Sequence, residues 1–222
     1  MESKSMLGRF FDRQPVPTIT PSNPARNSSR FPRHSGGWGL LRKRLAAEPG
    51  LRVLDIGATS AVNINLLTNM GHSIYMADLV QEAFAGDWKG DPDEDGKPVW
   101  NVEGFRRQNL DFSQRKFDMV LLWTALDYLP EPLIAPVVDA LYEAMVPGGQ
   151  LLAVFNMRMQ PEQSPLYRFH LTLTDDVELQ LAQPVPLQRA LTNRKIEKLF
   201  EKYSGLKQFL AKDGVSEAIM IR

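Results

Sequence analysis

Three carboxylates stand where short apolar runs end: Asp55 in LRVLDIG, Asp78 in HSIYMADL and Asp111 in FRRQNLDF. Each run reads as a strand. An open parallel sheet binds its ligands outside the carboxyl ends of its strands, near the point where strand order reverses. A ligand with a ribose and a base could touch all three places. Asp55 or Asp78 alone could merely cap the helix that follows. Their joint appearance points further, because an acid about 20 residues after a glycine turn suits a bidentate hydrogen bond to ribose hydroxyls.

The turn after Asp55 reads Gly57-Ala58-Thr59-Ser60-Ala61-Val62. A dinucleotide site wants G-x-G-x-x-G, so that a helix N-terminus meets a pyrophosphate. That spacing fails here, and Asp55, two residues before Gly57, would repel a pyrophosphate. An acid there suits a cationic ligand such as a sulfonium carrying an amino group. S-adenosylmethionine (AdoMet) meets that description and NAD does not.

The elements that must position these residues follow from periodicity. WGLLRKRLAA sets Leu40, Leu41 and Leu45 on one helical face before EPG stops it. AVNINLLTNMG is a helix closed by Gly71, with Leu66, Leu67 and Met70 inward. LRVLDIG and HSIYMADL are the first two strands, FRRQNLDF a third, and FDMVLLWTALDYL a fourth that runs into a helix through PLIAPVVDALYEAMV. PGGQLLAVFNM is a turn and a fifth strand, and QEAFAGDWKGDPDEDGKPVWNVEG is a helix attempt followed by an acidic, Gly- and Pro-rich loop. Near-continuous apolar strands alternating with helices predict a parallel sheet covered on both faces. YRFHLTLTDDVELQLAQ then predicts a β-hairpin over 167–183. TNRKIEKLFEKYSG is a helix capped by Thr192 or Asn193 and stopped at Gly205, and LKQFLAKDGVSEAIMIR closes with two antiparallel strands.

On VLDIGATSA, YMADL, QNLDF and FDMVLLWTALDYL followed by PGGQLLAVF, residues 38–222 resemble the class I AdoMet-dependent methyltransferases. The resemblance implies a doubly wound α/β fold with a mainly parallel seven-stranded sheet in the order 3-2-1-4-5-7-6. Its seventh strand is antiparallel, helices cover both faces, and the hairpin is inserted before the last helix. It implies that Asp55 holds the amino-acid end of the cofactor, directly or through water, and that Gly57 lets the backbone approach. Asp78, followed by Leu79, would bind the ribose hydroxyls. Asp111 would accept from the adenine amino group between Leu110 and Phe112, and Trp123 would line the methionine side. The family usually has D-x-G-x-G-x-G, where this chain has Thr59 and Ala61 in place of the later glycines. Ala61 suits a helix start, whereas a β-branched Thr59 dislikes positive φ and crowds the cofactor. The Thr59 or Ser60 hydroxyl could serve another binding path.

Methyl transfer from a sulfonium is an in-line displacement that needs chiefly alignment, and a base only where the acceptor loses a proton. Asp127 and Tyr128, after the fourth strand, and His170, in the hairpin, are the candidate bases. Each has a plainer role open to it. Asp127 could be a first-turn acid favoured by the helix dipole, Tyr128 could pack with Leu129, and His170 could point outward from its strand. Trp123 could face the sulfonium through its ring or pack in the core. Without cysteine there is no adduct route to cytosine carbon 5, and WTAL stands where amino-methylating enzymes of adenine or glutamine carry NPPY or DPPY. No carboxylate–amide cluster follows the fourth strand for metal-dependent catechol chemistry. A small molecule or a protein side chain remains as acceptor, through oxygen or nitrogen. The hairpin is expected to cap the acceptor pocket or to pair as a dimerisation strand. The alternative function is a methyltransferase-like module that binds a partner without catalysis, which the altered glycine loop would suit.

Composition bounds the rest. The 222 residues suffice for one domain with a sizeable core. Lys plus Arg equals Asp plus Glu at 26 each, so no global field recruits nucleic acid or anionic membrane. The absence of cysteine removes disulfides and thiolate sites, and His34, His72 and His170 lack a zinc spacing, so no metal is expected. No apolar run approaches the roughly 18 to 20 residues that span a bilayer, and the start lacks the apolar core of a secretory signal. A cytoplasmic protein is the expectation. Residues 1–35, rich in Pro, Ser, Asn and Arg, read as a flexible basic arm before a domain over 36–222.

Overall fold

The computed structural model describes residues 29–96, 98–210 and 213–222. Most of the expected arm, residues 1–28, therefore lies outside the described residues. Its described end is not an arm. Phe31–His34 forms strand β1, and Ser35 caps helix α1 (Gly36–Ala47), accepting from Trp38 N at 3.0 Å. The cause is a partner far along the chain, which composition does not reveal: β1 runs antiparallel to β9 (Asp176–Leu181).

The main sheet follows from the apolar runs. It comprises β2 (Arg52–Ile56), β3 (Ser73–Ala77), β6 (Phe117–Trp123), β7 (Met145–Asn156), β10 (Ser204–Leu210) and β11 (Val215–Ile221), in the order β10-β11-β7-β6-β2-β3. β3, β2, β6 and β7 are parallel, and β11 runs antiparallel to both of its neighbours, β7 and β10. Alternating side chains build a core on each face. Leu54, Ile56, Val120 and Leu122 pack with residues of α3 (Leu79–Ala85), α5 (Ala125–Tyr128), α6 (Glu131–Ala144) and α7 (Asn193–Leu199). Val53, Met119, Leu121 and Leu152 pack with α1, α2 (Ala61–Asn69) and the inserted hairpin.

This is the expected doubly wound order less its third member, so the sheet has six strands among the described residues. The segment read as the third strand folds as helix α4 (Val102–Asn109), with Asn101 Oδ1 accepting from Gly104 N at 2.8 Å as its cap. Val102 and Phe105 recur at helical spacing. Arg106, Arg107 and Gln108 are exposed in succession, which a half-buried strand does not allow. The acidic segment before it carries a small hairpin of its own, β4 (Lys89–Pro92) with β5 (Pro98–Trp100).

The inserted hairpin is present: β8 (Tyr167–Leu171) pairs with β9, and β1 completes a second sheet in the order β1-β9-β8. Its Phe169, Leu171, Val177 and Leu179 are buried with Trp38 and Leu41 of α1. The hairpin is thus built into the core, and β1 occupies the β9 edge. Arg33 of β1 ties the two sheets together. Its Nε donates to Asp213 at 2.5 Å and its Nη1 to Glu217 of β11, which also accepts from Gly37 N at 2.8 Å. A Cβ on Gly37 would lie 2.4 Å from a Leu152 methyl, so α1 reaches the sheet where it has no side chain. No described helix is long and apolar enough to cross a membrane.

Candidate functional site

Asp55 is the penultimate residue of β2 and is only 2% exposed. Its carboxylate already has two donors from the chain, Asn63 Nδ2 at 2.7 Å and Trp123 Nε1 at 2.7 Å. Burial pushes its pKa up to about 6, against the pull of those two hydrogen bonds. Trp123, at the end of β6, has φ 48°, a left-handed backbone that a bulky residue adopts only under constraint. Its ring stacks on Phe169 of β8, with centroids 4.5 Å and planes 9° apart. Its Cδ1 stands 3.4 Å from where a Cβ on Gly57 would lie. The cleft left between Asp55, Gly57, Asp78, Trp123 and Phe169 is about 20 Å³. Sites that enclose drug-sized ligands run from roughly 300 Å³ upward. The acids therefore suit AdoMet in kind, but in this closed arrangement the space does not fit it.

Asp78 lines the same cleft and also caps α3, accepting from Gln81 N at 3.0 Å; burial raises its pKa. Leu79, behind it, is core. Asp111 is not brought to the cleft. It is exposed, and its Oδ1 accepts from Ser113 N at 2.8 Å in a turn. Leu110 and Phe112 are buried, Phe112 edge-on to Tyr75 and Phe117. The cause is α4: residue 111 follows a helix instead of ending a strand of the sheet. The strain expected at Thr59 is also absent. Neither Thr59 nor Gly57 has positive φ, and Thr59 is exposed and outside the cleft lining.

Ser60 and His170 clasp the hairpin to α2. Ser60 Oγ caps the helix, accepting from Asn63 N at 3.2 Å, and lies 2.8 Å from His170 Nδ1. His170 Nε2 lies 2.9 Å from Gln180 Oε1, which only accepts, so the ring carries its proton on Nε2. Burial lowers the pKa of His170 and keeps it neutral. At 2% exposure it borders neither the cleft nor the larger cavity below, so it faces inward as a clasp and not outward or towards an acceptor. Asn63 completes the clasp, donating from Nδ2 to Phe169 O at 3.0 Å as well as to Asp55, and accepting from Leu171 N at 2.8 Å. Asn63 escaped the sequence reading, although a polar residue one turn before the inward Leu67 was a legible signal.

Phe169 also borders a cavity of about 800 Å³ at the ends of β6 and β7, lined by Phe31, Tyr128, Asn156, Tyr167 and Leu179 among others. Thr124, Tyr167 and Phe169 are walls common to both spaces. Tyr128 donates to Ser164 O at 2.8 Å, and burial holds its pKa well above the ordinary phenol value. Asp127 lies behind Asn156, its Oδ2 accepting from Asn156 N at 2.6 Å and Nδ2 at 2.9 Å, while Oδ1 has no partner. Burial pushes the Asp127 pKa up to about 7. Of the three candidate bases, Tyr128 alone borders the cavity. Among the described residues no group of three or more His, Asp or Glu side chains is placed to hold a metal ion.

Residues 33–203 match the model of a family described as a methyltransferase domain. No curated protein matches the chain. Among solved structures it is similar to TehB from Haemophilus influenzae, at 10% identity over 83% of this chain and 62% of that one, with a TM-score of 0.47. The chain thus spans less than two thirds of that protein. It is similar to the magnesium protoporphyrin IX methyltransferase from Synechocystis PCC 6803 with bound SAM, at 15% identity over 83% and 77% of the two chains, TM-score 0.46. It is also similar to the N-methyltransferase NodS from Bradyrhizobium japonicum WM9, at 14% identity over 83% and 93%, TM-score 0.46.

Proposed function

The chain belongs to the methyltransferase-domain family, and from that premise we propose that it transfers a methyl group from AdoMet to an acceptor held in the cavity of about 800 Å³. The acceptor is a small molecule, or a protein side chain inserted there, reacting through oxygen or nitrogen. One arrangement carries the reading. The cleft with Asp55 and Asp78 at its strand ends shares Thr124, Tyr167 and Phe169 with the larger cavity, so a ligand that opens the cleft would adjoin the acceptor space at the carboxyl edge of the sheet. Adjacency is the chief requirement, since alignment supplies most of the rate of such a transfer. When bound, the cofactor supplies the activated methyl group. Asp78, with one oxygen on Gln81 N, has the other for a ribose hydroxyl. Tyr128 stays a neutral phenol and serves the acceptor as a hydrogen-bond partner, not as a base.

A second reading, a binding module without catalysis, is favoured by one observation: the chain itself satisfies Asp55 and fills the cleft. Calorimetric titration with AdoMet and its demethylated product separates the two. On the first reading the wild type binds in the micromolar range. Asp78→Asn, which keeps a capping oxygen, then binds about tenfold or more weakly for loss of a charge-assisted hydrogen bond. A folded wild type that gives no heat of binding leaves the second reading.

A further inference from the structure

Asp55, Trp123 and Phe169 form a unit that a simple wall of the cleft does not explain. A buried carboxylate requires donors, and here an indole N–H supplies one at 2.7 Å. It is a donor on an apolar body, and it occupies Asp55 Oδ1 while Asn63 holds Oδ2. Two features show that the ring is held there under constraint. Trp123 has φ 48°, and the β6–β7 ladder loses register between Leu121 and Trp123. The ring's face is covered by Phe169, which also borders the larger cavity.

We propose that Trp123 is an internal stand-in for a ligand's ammonium group at Asp55, and that a cationic amino-acid ligand enters the cleft by displacing the indole. The displaced ring gives up its stack on Phe169, and the wall shared with the larger cavity changes shape. Filling of the cleft therefore precedes and prepares the acceptor cavity. This rests on the reading that the cleft takes AdoMet, and adds to it an order of binding and a cost of entry. A ligand that must first displace an internal group binds with an affinity reduced by the fraction of molecules already open. Removing the internal group therefore tightens binding.

The test titrates wild type, Trp123→Phe and Trp123→Ala with S-adenosylhomocysteine, which retains the ammonium group. Heat of binding and tryptophan emission are both recorded, and circular dichroism checks folding. The expected result is binding about tenfold or more tighter in Trp123→Ala than in wild type, with Trp123→Phe between them. Saturation shifts the wild-type emission, and the Phe variant lacks the shift. If wild type binds and both variants bind equally or more weakly, Trp123 is a wall against which the ligand rests, and the proposal falls. If none of the three folded proteins binds, the AdoMet reading itself fails and takes the proposal with it. Should the Ala variant not fold, the Phe variant decides.

Discussion

At the scale of single residues, two buried carboxylates set the pH response. Burial raises Asp127 to about 7 and Asp55 to about 6, from an unfolded value near 3.8. The folded chain therefore binds protons more readily than the unfolded one across that interval. Their stabilising contribution is full below about pH 4, falls as pH rises, and levels off above the folded pKa. The Arg189 charge pulls the Asp127 pKa down, but burial is the larger effect and the net shift is upward. Asp127→Asn keeps an acceptor for Asn156 and removes the titration. Urea denaturation is expected to show a smaller loss of stability between pH 4 and 7, by on the order of a few kcal/mol. At pH 8 the variant is at least as stable as wild type; a pH slope equal to wild type would show that Asp127 titrates normally. At this scale Asp55, Asp78 and Trp123 were legible as neighbours, because each ends a recognisable strand. Asp111 was misplaced because the strand assigned to it is a helix.

At the scale of elements, the hairpin decides whether the site is detachable. Phe169, Leu171, Val177 and Leu179 are 6%, 1%, 0% and 6% exposed. Four such side chains, at roughly 1.5–3 kcal/mol each, rival the whole stability of a domain. The clasp through Ser60, Asn63 and His170 adds buried hydrogen bonds that would be left unmade. Deleting 167–183 is therefore expected to abolish cooperative unfolding and with it any ligand binding, as followed by circular dichroism. A deletion variant that still melts cooperatively would make the hairpin a lid. The hairpin itself was readable from its alternation around TDD. Its burial was not, since alternation shows that one face is apolar but not what covers it. In α4, Val102 and Phe105 at helical spacing and three exposed residues in succession outweigh the FRRQNLDF segment read as a strand.

At the scale of the molecule, Arg33 holds the second sheet to the end of the first. Its side chain is 9% exposed and that of Glu217 2%. Removing one partner of a buried pair leaves the other uncompensated, at a cost of about 3–5 kcal/mol. Arg33→Ala is expected to lose that much in urea denaturation, and adding Glu217→Gln to recover part of it; a loss below about 1 kcal/mol would mark the pair as a surface contact. By itself the sequence determined where all six strands of the main sheet and most helices lie, and which acids stand at the ends of β2 and β3. Apolar runs, caps and turn glycines are local signals. The family resemblance supplied the strand order. Only the tertiary structure decided that β1 joins β9, that Asn63 meets Phe169 across 106 positions and Ser60 meets His170 across 110, and that Trp123 closes on Asp55. Those contacts draw their energy from packing between distant segments, which no local window of the sequence contains.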